Sequence, residues 1–214
     1  MPRVGVGHCR RSFEYELINA RRFVNESKTF KVLVKDGVYR AIGIRVIETI
    51  AGLQFLNLHL AWEEFLESVF VRYICGSVSP AGYCPSALVS REPNIITATT
   101  KLLGRNKYLN WGPKDTINRA NKYFVNGEPF STAINSAMND LEAIITVRNR
   151  FAHRSEFSQI QFNRLVRNEI GFNPPGMTPG RFLLTAIANI RVGKKTYFDF
   201  FTDLMLSLAY IIVP

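Results

Sequence analysis

The sequence predicts an all-α protein, a bundle of five to seven helices, and three observations predict it. Apolar side chains recur at three- and four-residue steps over several stretches of helical length. Clusters of Gly, Pro, Ser and Asn separate these stretches as punctuation. The composition, 47% apolar and 21% charged over 214 residues, is that of an ordinary globular chain able to hold its own core. It excludes a disordered chain, a collagen-like fibre and a disulfide-dense module.

Taken in order, residues 1–40 form a basic N-terminal extension with nine basic and four acidic side chains. Within it FKVLV, Lys35-Asp36-Gly37 and VYRAIGI read either as a short hairpin closed by a D-G turn or as a loop between short helices. The bundle takes up 41–214. From about Ile42 to Ile74, Leu53, Leu56, Leu60, Glu63, Glu64, Glu67 and Phe70 keep helical steps, and Trp62, Phe65, Leu66 and Val69 widen the apolar stripe. Gly52 marks a kink or a break. Residues 76–93 read as a loop, and helices are expected at about 94–104 and 115–125. The clearest helix opens at Ser131 as N-cap and runs to about Ala152 through Ile134, Met138, Leu141, Ile144, Ile145 and Arg148. Another spans about 157–170 and stops at Gly171 and Asn173-Pro174-Pro175-Gly176. Two more, at about 180–190 and 196–212, flank Gly193.

The formal charge of +10 favours a polyanionic partner. The surplus lies in 1–40, 91–125 and 148–170, whereas 41–75 and 126–147 are net acidic. Cys9, Cys75 and Cys84 form no C-x-x-C pair, and no histidine stands at zinc-ligand spacing from a second candidate. No metal site and no cofactor is therefore expected, and reduced thiols suit a cytoplasmic protein. The opening MPRVGVGHCRRSF lacks the apolar run of a secretory leader. The stretch from Phe200 to Val213, interrupted by Asp203, is too short to cross about 30 Å of hydrocarbon, so no membrane is expected.

One string carries chemistry. The helix ending near Ala152 reads LEAIITVRNRFAHRSEF, with Arg148-Asn149 and an interval of four residues between Arg148 and His153. Here the chain resembles the HEPN superfamily of helical nucleic-acid-associated domains, whose signature is an Arg, usually followed by a polar residue, four to six residues before a His. LHLAWEEFLESVF (Leu58–Phe70) looks like the early helix of the branch called RiboL-PSP type. The resemblance implies a HEPN-like helical bundle that pairs with a second copy through the motif-bearing helix and brings both motifs into one basic cleft. It implies a metal-independent endoribonuclease leaving a 2′,3′-cyclic phosphate, in the setting of a toxin or phage-defence effector with an antitoxin or regulatory partner. The alternative is a non-catalytic HEPN domain that binds RNA or a partner protein.

The residue types suit the reaction. On a helix Asn149 and His153 lie about 40° apart and share a face, whereas Arg148 and His153 lie about 140° apart. The latter two converge only if the helix distorts near its end or if two copies meet. Histidine titrates in the range that proton transfer needs, and arginine keeps its charge and offers a planar fork to phosphate oxygens. His153 is thus expected to move a proton, Arg148 to hold phosphate charge, and Asn149 to orient the histidine or bind a phosphate oxygen. Arg150 and Arg154 are candidates for RNA-backbone contacts. Glu64 and Glu67 are candidates for supporting Arg148. Each has a plainer reading, an arginine and a histidine capping a helix C-terminus or a solvated polar face. Trp111 is a core-edge residue or a base-stacking one. Where some HEPN toxins carry a Tyr two residues past the His, this chain has Ser155, so control through a modified tyrosine is not implied.

Overall fold

The computed structural model describes residues 5–187 and 195–214. Among them the chain is mostly helical, with nine α-helices and one two-stranded antiparallel hairpin. The all-α prediction holds, and so does the hairpin, while the α-helices of the described residues number nine where the sequence predicts five to seven. The hairpin strands β1 (Lys31–Leu33) and β2 (Tyr39–Ala41) pair Val32 with Arg40. Gly37 takes the positive φ of the D-G turn, and Asp36 accepts from Arg40 at 2.6 Å.

The chain divides into two compact units. The first comprises Met1–Tyr15, Ala61–Glu142 and Leu204–Pro214. Its aromatic centre is Phe70, whose ring lies 5.0 Å from both Phe124 and Phe130 and 5.5 Å from Trp111. Helices α3 (Ile95–Leu103), α4 (Pro113–Tyr123) and α5 (Phe130–Asn135) lie within it. Asn94 caps α3 by accepting from Thr97 N–H, and Pro113 starts α4 where a missing N–H costs nothing.

The second unit comprises Glu16–Leu60 and Ala143–Asp203. Its core joins Phe55 to Phe198 and Phe201, and Phe182 to Phe162 and Tyr197, the last pair stacked at 4.3 Å. Helices α7 (Glu156–Ile170) and α8 (Pro179–Leu184) lie within it. Four helices contribute residues to both units: α1 (Val6–Ser27), α2 (Ile44–Ile74), α6 (Met138–Ala152) and α9 (Tyr197–Ile212).

Three elements differ from the sequence reading. Residues 6–27 of the extension are one helix, burying Val6, Cys9, Phe13, Leu17, Ala20 and Val24 at three- and four-residue steps. The helix expected from Ser131 to Ala152 is two, α5 and α6, broken at Ser136 and Ala137. Ser131 is not the N-cap; it is buried inside α5 with its hydroxyl on Asn121, and Pro129 holds the cap position. Gly52 does not break α2, which runs on as one helix, and it sits where a neighbour packs closely. A Cβ there would lie 2.0 Å from the Phe151 ring of α6. The predicted end of the 180–190 helix and the turn at Gly193 lie outside the described residues, and α8 itself stops at Leu184.

A second close approach seats α8. A Cβ at Gly180 would fall 1.9 Å from the Glu48 carbonyl oxygen of α2, a backbone atom that no side-chain rotation can move. Gly180→Ala should therefore destabilise the protein by about 3 kcal/mol, the upper end of overpacking costs. Urea denaturation measures this directly, and an alanine variant as stable as the parent would refute the seating of α8 on α2.

Candidate active site

Helix α6 is positioned by its apolar stripe, with Ile144 and Val147 buried and Phe151 half-buried against Gly52. That orientation leaves Arg148, Asn149 and Arg150 half-buried and exposes Ala152, His153 and Arg154. The helix stays regular to its end, since His153 N–H still donates to the Asn149 carbonyl at 2.8 Å. The next helix starts at once: Ser155 caps α7 by accepting from Ser158 N–H at 3.3 Å. The Ser158 hydroxyl lies 2.8 Å from the His153 carbonyl and takes a 3.4 Å contact from Arg150 Nη1. The His153 backbone is thus held at both ends while its imidazole faces outward. The serine at position 155, where the toxin pattern has tyrosine, serves as a helix cap.

Arg148 is held differently. Its Nη1 donates to the Asn149 side-chain oxygen at 3.0 Å, so Asn149 is engaged with the arginine. Its Nε is buried and makes no hydrogen bond. Close by on α2, His59 is 6% exposed, and its pKa is pushed down to about 4, first by burial and second by the Arg148 guanidinium. A neutral imidazole therefore lies beside a permanent cation. His59 escapes functional notice in the sequence because an apolar stripe surrounds it, and only the fold places it near the motif.

The two glutamates have other positions. Glu67 is half-buried and accepts from Trp111 Nε1 at 2.8 Å, while Arg119 covers the indole face at 4.4 Å. Trp111 is 4% exposed, in agreement with the core-edge reading and not with base stacking. Glu64 is exposed on α2. Both glutamates belong to the first unit and Arg148 to the second.

Of the cysteines, Cys9 and Cys75 are buried and Cys84 is half-buried. Among the described residues, no three His, Cys, Asp or Glu side chains gather as a metal site requires. Nor is any helix among them long and apolar enough to cross a membrane. Comparison of the chain with protein-family models, with curated proteins and with solved structures returned no match.

Proposed function

We propose that this protein is an endoribonuclease of the HEPN type, cleaving RNA through its own 2′-OH at a site built from two copies of the chain. The observation that carries the reading is the division of labour at the end of α6. Arg148 is half-buried and always charged, and it is steadied by Asn149. The His153 imidazole is exposed on a backbone fixed by Asn149 and Ser158. One group suits a developing phosphorane charge, and the other suits a moving proton.

In the reaction, the 2′-oxygen attacks the adjacent phosphorus as its proton leaves to a base. The phosphorus bond to the 5′-oxygen breaks, and that oxygen takes up a proton. His153 supplies one of these proton transfers, and Arg148 balances the extra negative charge on the nonbridging oxygens. The regular course of α6 supports the use of two copies, because side chains about 140° apart on an unbroken helix do not converge on one phosphate. The resemblance of RNRFAH to the family motif supplies the expectation of pairing through α6 and of a toxin or phage-defence role.

The test is cleavage of total tRNA and a mixed single-stranded RNA in EDTA, with analysis of the product ends. The expected result is cleavage that leaves 2′,3′-cyclic phosphates, by a protein whose mass in solution is that of a dimer. Cleavage only with added Mg²⁺ would overturn the mechanism. RNA binding without cleavage would leave the non-catalytic binding domain as the function.

A further inference from the structure

Beside the motif, the second unit carries a groove of about 920 Å³ with an unusual lining. Arg45 comes from the start of α2, Arg150 from the end of α6, Arg154 from the link that follows it, and Arg181 from α8. Three stretches remote in sequence therefore bring four guanidinium groups to one concavity. Against them stands a single carboxylate, Glu48, whose Oε2 accepts from the Thr178 hydroxyl at 3.1 Å.

Among the ion pairs of the described residues, none involves any of the four arginines. Arg181 Nη1 donates to the Pro175 carbonyl at 3.2 Å, and Arg150 Nη1 reaches Ser158. These contacts fix the side chains and leave most of their donors unused, since each guanidinium carries five. Converging like charges repel one another, and an incoming polyanion would relieve that repulsion. The Phe151 ring forms part of the same wall and offers an apolar surface to a base or sugar. A concave site suits an inserted strand, whereas a bilayer surface would meet protruding side chains.

We propose that this groove holds the phosphodiester backbone of a single RNA strand and that Arg45 and Arg181, far from the motif in sequence, bind it together with Arg150 and Arg154. The choice of RNA rests on the ribonuclease reading; the groove and its charge do not. The two added arginines act on affinity, through phosphates, and carry no base preference.

The test is fluorescence anisotropy with a labelled 2′-O-methyl oligoribonucleotide, which binds but lacks the hydroxyl that cleavage needs. The parent protein is compared with the double variant Arg45→Ala/Arg181→Ala and with Glu48→Gln, after thermal melts have shown that each is folded. The double variant should weaken binding about tenfold and flatten the plot of log affinity against log salt by about 1.4, two contacts at 0.7 each. Glu48→Gln, which keeps an acceptor for Thr178, should tighten binding. Parental affinity and slope in the double variant would overturn the groove. So would the same arginine dependence on vesicles rich in anionic lipid with no RNA binding. The two readings fail separately: cleavage with an unaltered double variant removes the groove alone, and arginine-dependent binding without cleavage removes the nuclease alone.

Discussion

Replacing His153 with alanine should reduce RNA cleavage in EDTA by about 10²–10⁴-fold, the usual contribution of a positioned proton-transfer group. The melting temperature should stay at the parental value, because the imidazole is exposed and only the backbone of His153 is engaged. Arg148→Ala should lose cleavage as well. If each site takes its arginine from one chain and its histidine from the other, mixing the two inactive variants restores activity. In an equimolar mixture half of the dimers are mixed and one of their two sites is intact, so about a quarter of parental activity should return. Subunit exchange is followed by a mass tag on one variant. Complete exchange with no recovery would place both groups of a site in one chain, and undiminished activity in His153→Ala would remove the histidine from the mechanism.

The second large effect is acid sensitivity centred on His59. In the unfolded chain its imidazole titrates near 6.5, and in the fold burial and Arg148 bring it to about 4. Between these values the unfolded chain binds a proton that the folded chain refuses, so stability is complete above 6.5 and falls as pH drops toward 4. Below that, both states are protonated and this contribution has gone. Over the whole window the loss should be about 3 kcal/mol. Urea melts at steps of half a pH unit would show it. His59→Gln should be less stable at neutral pH yet nearly flat across the same window. A glutamine variant with the parental slope would assign the acid sensitivity to other groups.

Much of this arrangement is legible in the sequence. Periodicity locates α2, α7 and α9 because each buries one apolar stripe in the order it is written. The D-G turn announces the hairpin, and RNRFAH marks the end of α6. The helix at 6–27 carries an equally regular stripe, but nine basic side chains in the first 40 residues and a strong turn signal draw attention to charge and hairpin instead. The break between α5 and α6 is invisible for another reason. Its apolar spacing continues through Ser136 and Ala137, while the local backbone follows the packing of Phe130 and Ile134. Glu67 pairs with Trp111, 44 residues away, and the approach of His59 to Arg148 also joins distant positions. Arg45 and Arg181 converge on the motif for the same tertiary reason. No local pattern encodes such meetings, which depend on how helices cross.

The meeting of Gly52 with Phe151 carries a consequence for variation in this chain. The phenyl ring lies within the motif, between Arg150 and Ala152, and occupies volume that any larger residue at position 52 would need. The two positions therefore share one allotment of space. A larger residue at 52 becomes tolerable once 151 shrinks, and a smaller residue at 151 leaves a hollow that growth at 52 can fill. The motif string is thus coupled to a distant position: its central aromatic faces a glycine about a hundred residues earlier, and growth at 52 requires a smaller residue at 151.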